Sequence, residues 1–189
     1  SNKKDLLLDE KVLIDSTYYS SRSYSHNLSF SVLTALNRNW NSHLIYNISM
    51  QVNIALLTVT DTRTIDTDKS GSILVKKISE QNHKLIDRKI VKDEKNKIKN
   101  ILLDWTKIDE IDVIITTGGT GLTGRDITPE AIKEIADKEI PGFGELFREL
   151  SYKTIGTSAM QSRACAVLAN GKYIFALPGS SGGVTDAWD

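Results

Sequence analysis

Ten consecutive residues, Thr117-Gly118-Gly119-Thr120-Gly121-Leu122-Thr123-Gly124-Arg125-Asp126, combine four glycines, three hydroxyls, one guanidinium and one carboxylate. Glycines let backbone N–H groups approach an anion without side-chain obstruction, which is what phosphate binding requires. A second segment of the same kind, Pro178-Gly179-Ser180-Ser181-Gly182-Gly183, lies nearer the C-terminus. Two shorter polar segments accompany them: Thr58-Val59-Thr60-Asp61-Thr62-Arg63 and Lys92-Asp93-Glu94. Asp93 and Asp126 are the residue type that holds Mg²⁺ or orients a phosphate in phosphoryl and nucleotidyl transfer. Candidate phosphate or substrate contacts are Thr60, Asp61, Arg63, Gly118, Gly119, Thr120, Gly121, Arg125, Pro178, Gly179 and Ser180.

Each of these has a duller explanation. Asp93 stands where a helix N-cap belongs, and Asp126 is placed to cap or tighten the turn before Thr128. Arg63 and Arg125 fit solvated charges, and the glycines fit tight turns. Convergence favours a site, because all four segments are expected at one edge of one sheet. Gly119-x-Gly121-x-x-Gly124 matches a dinucleotide-binding fingerprint letter for letter. That fingerprint needs its glycines to open a helix and an acidic residue roughly 20 positions later to end a strand. Here the helix cue comes later, at Thr128-Pro129, and the acidic position falls within a helical pattern at Gly144-Glu145. A nicotinamide-type oxidoreductase is therefore set aside. No phosphate loop of the GxxxxGK[ST] type occurs.

The elements that must carry these segments begin near Met50. Val52 to Val59 is a near-continuous apolar run, as a buried parallel strand should be. Ser70 is placed to cap a helix running through Ile78, with Leu74 and Ile78 on one face. Lys84 to Val91 fits a second strand. Ile98, Ile101, Leu102 and Trp105 recur at helical spacing after Asp93, and Ile111 to Thr116 fits a third strand. Thr128-Pro129 reads as an N-cap with proline at the first helical position, opening a helix through Ala136. Phe143, Leu146, Phe147 and Leu150 share a helical face after Pro141-Gly142. Asn170-Gly171 between Val167-Leu168-Ala169 and Tyr173 to Leu177 signals a type I′ hairpin. The fold class expected is α/β with three layers: a mostly parallel sheet, helices on both faces, and a small antiparallel hairpin element. Ligands of such sheets gather at the carboxyl ends of the strands.

Residues 1–50 differ from the rest, being rich in serine, asparagine and tyrosine without a sustained period. A compact unit that short struggles to bury enough surface to offset chain entropy. They are expected to be a disordered or non-native extension, and residues 51–189 a single domain. After Ser180 a final helix is expected, cut off after about two turns.

Lysine plus arginine equals aspartate plus glutamate at 24 each, so the formal net charge is zero. That balance argues against nucleic acid as a partner. The single cysteine, Cys165, lies in an apolar run and reads as a small buried core residue rather than a nucleophile. No apolar stretch approaches the roughly 20 residues needed to cross a membrane. The first residues lack a signal-peptide layout, so a cytoplasmic location is expected.

The segment from Thr116 to Ala131, TTGGTGLTGRDITPEA, closely resembles the signature of the MoaB/MogA molybdenum cofactor biosynthesis proteins. So do Ile140-Pro141-Gly142-Phe143-Gly144-Glu145, Gly156-Thr157-Ser158, Ser162-Arg163-Ala164 and Leu177-Pro178-Gly179-Ser180. The resemblance covers roughly residues 52–189 and is closest to the MoaB branch; residues 1–50 have no counterpart in it. It implies a molybdopterin-binding domain. In active members the terminal phosphate of molybdopterin attacks the α-phosphate of Mg·ATP, giving adenylylated molybdopterin and pyrophosphate. Mg²⁺ is thus the implied cofactor, ATP the co-substrate and molybdopterin the substrate. The family's two activity-linked aspartates fall on Asp93 and Asp126, which are the catalytic candidates here. The resemblance also implies a homotrimer or hexamer and hand-off of the product to a molybdate-insertion protein. Some MoaB proteins lack the first aspartate and are suspected to be inactive, so the retained Asp93 favours an adenylyltransferase. The alternative is a non-catalytic molybdopterin-binding or scaffolding paralogue.

Overall fold

The structure is a computed structural model and describes residues 51–189; the expectations for residues 1–50 lie outside the described residues. Among the described residues, six strands form one sheet in the order β2-β1-β3-β6-β5-β4. In chain order they are β1 (Asn53–Val59), β2 (Lys84–Val91), β3 (Val113–Thr117), β4 (Lys138–Glu139), β5 (Cys165–Ala169) and β6 (Lys172–Leu177). β2, β1, β3 and β6 run parallel, while β5 pairs antiparallel with both β6 and β4. The helices are α1 (Lys69–Glu80), α2 (Lys95–Thr106), α3 (Thr128–Lys133), α4 (Pro141–Ile155) and α5 (Ser181–Trp188). A 3₁₀ segment, Gly156–Gln161, follows α4 directly.

The three layers follow from side-chain alternation along the strands. On β1, Ala55, Leu57 and Val59 face a core completed by Ile98, Leu102 and Trp105 of α2 and by Ala131 and Ile132 of α3. Ile54 and Leu56 face the opposite core, with Leu74 and Ile78 of α1 and Val184 and Trp188 of α5. Both faces of β1 are covered, which is why its sequence is apolar at nearly every position. The hairpin turns on Asn170 (φ 47°) and Gly171 (φ 73°), both in the left-handed region that a type I′ turn demands.

Several local expectations are corrected. Asp68, not Ser70, is the N-cap of α1, and its carboxylate accepts a hydrogen bond from the Gly71 amide at 2.9 Å. The choice is made from outside the helix. The same buried carboxylate also accepts from Thr58 Oγ1 at 2.6 Å and Arg88 Nη2 at 3.0 Å. Glu94, not Asp93, occupies the N-cap of α2. Thr128 opens α3 rather than capping it, and α3 ends at Lys133 rather than Ala136. β3 begins at Val113, leaving Ile111 buried just ahead of it. On α4 only Phe147 of the four expected apolar residues is buried, while Leu146 and Leu150 are exposed. The reason is a close approach at Gly144, where a Cβ would come 2.6 Å from the Ala164 carbonyl oxygen. This contact turns the row Gly144-Phe147-Ser151 inward. Cys165 is half-buried rather than buried, and burial pushes its thiol pKa up to about 11.

Candidate functional site

Because β1, β2, β3 and β6 are parallel, their carboxyl ends lie along one edge of the sheet. The segments that follow β1, β2, β3 and β6 enclose a cleft of about 930 Å³ there. Thr60, Arg63, Asp93, Gly118, Gly119, Thr120, Gly121, Arg125, Asp126, Pro178, Gly179 and Ser180 all line it. Asp61 does not line it but forms an ion pair with Arg125. Arg63 reaches across to the Gly179 carbonyl, Nη1 to O 3.4 Å.

The glycine loop after β3 is built tightly. Gly118 has φ +102°, and a Cβ there would lie 2.2 Å from the Val59 carbonyl oxygen, so no other residue fits. Its own carbonyl accepts from the Thr128 hydroxyl at 2.9 Å, and the Thr128 amide donates to the Gly119 carbonyl at 3.1 Å. Thr128 therefore ties the start of α3 to the loop. Thr117 Oγ1 donates to the Pro178 carbonyl at 2.8 Å, and a Cβ on Gly179 would stand 3.2 Å from Gly118 Cα. The two glycine segments are in contact. The second one leads into α5, whose N-cap Ser180 accepts from the Gly183 amide at 3.1 Å.

The two aspartates lie against alternate glycines of the first loop. A Cβ on Gly119 would approach Asp93 Oδ1 to 3.1 Å, and one on Gly121 would approach Asp126 Oδ2 to 2.9 Å. Their surroundings differ. Burial raises the Asp93 pKa above the ordinary carboxylate range, and the negative charges of Asp61 and Asp126 add to this against the opposing pull of Arg125. Its side chain makes no helix-cap bond. Burial works against ionised Asp126 too, but the Thr123 hydroxyl and amide, the Gly121 amide and the Arg163 charge outweigh it and hold its pKa low. Asp126 Oδ2 accepts from Thr123 Oγ1 at 2.6 Å and Thr123 N at 2.9 Å. The turn-tightening role considered for Asp126 is thus realised, whereas the capping role considered for Asp93 is not.

Sequence reasoning missed the wall contributed by Phe147, Ser151 and Thr154 of α4, Gln161 and Ser162 after it, and Asp186 of α5. These residues come from the sides of helices, where no local motif marks them. The Ser151 hydroxyl is buried with no hydrogen-bond partner among the described residues. Arg163 was also missed as a structural element, although it sits just behind the glycine loop and bonds to it. Among the described residues no group of three or more His, Cys, Asp or Glu side chains is placed to hold a metal ion. No helix of the described residues is long and apolar enough to cross a membrane.

Residues 55–189 match the family model described as a probable molybdopterin binding domain. A Bacillus cereus protein named molybdenum cofactor biosynthesis protein B is 47% identical over 135 residues, covering 71% of this chain and 80% of that protein. The protein of the same name from Escherichia coli K12 is 44% identical over 136 residues, covering 72% and 80%. A crystal structure of a molybdenum cofactor biosynthesis protein B superposes with TM-score 0.72 at 46% identity, covering 74% of this chain and 87% of that one. The tungsten cofactor synthesizing protein MoaB from Pyrococcus furiosus superposes with TM-score 0.66 at 36% identity, covering 73% and 88%.

Proposed function

The chain belongs to the molybdenum cofactor biosynthesis proteins with a molybdopterin binding domain, and from that premise we propose that it adenylylates molybdopterin with Mg·ATP in the cytoplasm. The observation that carries this reading is the placement of Asp93 and Asp126 against alternate glycines of one loop, beside a second glycine segment and two arginines. In the reaction, an oxygen of the molybdopterin phosphate forms a bond to the α-phosphorus of ATP. The bond from that phosphorus to the β-phosphate bridge breaks, and pyrophosphate leaves.

The residues divide this work by type. Loop amides and the N-terminal amides of α5 bind phosphate oxygens. Arg63 and Arg125 supply positive charge where negative charge accumulates in transfer. The donor set suits Mg²⁺, which is commonly held by one or two carboxylates plus substrate phosphates rather than by an all-protein cage. Asp93 and Asp126 would hold it. When bound, it neutralises charge on the transferring phosphate. The raised pKa of Asp93 fits this assignment, since a cation would relieve the repulsion among Asp61, Asp93 and Asp126. Exposed Leu146, Leu150, Tyr152, Ile155 and Met160, on α4 and just beyond it, support a homotrimer or hexamer and a docking face for a molybdate-insertion protein.

A binding-only or scaffolding role is the second reading. It is favoured by the engagement of Asp126 within its own turn, which accounts for that residue without catalysis. A single-turnover assay with molybdopterin and Mg·ATP separates the two. Pyrophosphate release that requires molybdopterin supports adenylyl transfer. Molybdopterin binding with no ATP consumed supports the binding-only role.

A further inference from the structure

Arg163 does not line the cleft, yet it makes three hydrogen bonds to the glycine loop from behind. It stands between the 3₁₀ segment and β5. Its backbone amide donates to the Thr120 carbonyl at 3.0 Å, and its Nε donates to the Gly121 carbonyl at 2.8 Å. Nη2 donates to the Asp126 carbonyl, and Nη1 pairs with Glu130 at the start of α3. Three carbonyls of one loop are therefore drawn to one residue.

The consequence follows from peptide geometry. The described peptide bonds are all trans, so the N–H on the far side of each plane points opposite to its C=O. Turning the Thr120 carbonyl towards Arg163 turns the Gly121 N–H away from it, and that N–H is among the groups that hydrogen-bond the Asp126 carboxylate. Drawing in the Asp126 carbonyl fixes the backbone from which that side chain projects. A guanidinium suits the task because its donors form a rigid planar fork, which a lysine ammonium cannot reproduce.

We infer that Arg163 is a positioning residue for Asp126, setting the peptide planes of the glycine loop so that the carboxylate is presented to the cleft. The inference rests on the adenylyl-transfer reading only for its activity readout. The competing view is that Arg163 is a strut joining β5 to α3.

The test uses Arg163→Lys, Arg163→Gln and, as a control that removes only the outer ion pair, Glu130→Gln. For each, the backbone amide shifts and hydrogen-exchange protection of Gly121 and Thr123, the amides that hold Asp126, are read by ¹⁵N NMR in ligand-free protein, alongside the thermal midpoint and the single-turnover rate of pyrophosphate release. Arg163→Lys keeps the charge and is expected to fold. It should shift those two amides, lower their protection and slow turnover about tenfold to a hundredfold, as misplacement of a reacting group does. Glu130→Gln should leave both near wild type. Unchanged Gly121 and Thr123 amides in both Arg163 variants, with only the thermal midpoint lowered, would overturn the inference in favour of a strut. If even the wild type releases no pyrophosphate, the adenylyl-transfer reading fails, but the two amides still decide the role of Arg163.

Discussion

Two loops bring a carboxylate to the same cleft, and they are built on opposite terms. The glycine loop holds Asp126 by three donors and is itself pinned by Thr128 and Arg163. The β2–α2 loop leaves Asp93 partly buried near two other negative charges with no capping bond to justify it. In the first, position is secured and charge is welcome. In the second, charge is resisted, and the pull of Arg125 and of the residue's own amide does not make up for it. A carboxylate that the fold would be better without is the more direct sign of a ligand, because structural roles explain satisfied groups more easily than frustrated ones.

The contrast can be broken by substitution. Gly118→Ala should do the most damage, costing about 3 kcal/mol or more through its positive φ and the clash with the Val59 carbonyl, read by chemical denaturation. Asp126→Asn should lower both turnover, by on the order of a hundredfold, and the melting temperature, by a few degrees. Asp93→Asn should lower turnover comparably while leaving the melting temperature unchanged or higher. If Asp93→Asn melts lower than Asp126→Asn, the contrast drawn between the loops is wrong.

Acidity offers a subtler reading of the same difference. The native pKa of Asp93 lies above its unfolded value, so its contribution favours folding at low pH and is lost as pH rises through that raised value. Asp126 behaves in the opposite sense: its contribution is present above its unfolded pKa and is lost as pH falls through its lowered native value. Mg²⁺ affinity measured by calorimetry should therefore rise with pH above the ordinary carboxylate range, and Asp93→Asn should flatten that rise. The smallest effect belongs to Gly124→Ala. No atom stands within 4 Å of a Cβ there, so stability should hold or improve by about 0.5 kcal/mol.

Much of the frame was legible because the strands are covered on both faces. β1 is apolar at most positions, β3 opens on three consecutive apolar residues, and Asn170-Gly171 marks its hairpin by backbone chemistry alone. The glycine segments were legible for the same local reason. Helix caps were less so. Asp68 and Ser70 are both competent caps, and the choice rests on Thr58 and Arg88, which are distant in sequence. β4 is only two residues long, too short for any period to appear. The α4 and α5 wall of the cleft and the grip of Arg163 depend on tertiary approach, and no spacing in the sequence encodes either. The expected apolar face of α4 failed similarly, because Gly144 against Ala164, rather than the hydrophobic pattern, sets the rotation of that helix.

Among the described residues the sheet ends in β2 on one side and β4 on the other. β2 carries Lys84, Asp87, Arg88 and Lys89, and β4 consists of exposed Lys138 and Glu139. An unpaired strand edge is a template for another chain's strand, and charged or very short edges are poor templates. The strongly apolar inner strands, which have the composition of fibril-forming segments, are kept behind these two guards. At high protein concentration the folded molecule should therefore resist strand-to-strand aggregation, with the hazard confined to moments when β1 or β3 is uncovered.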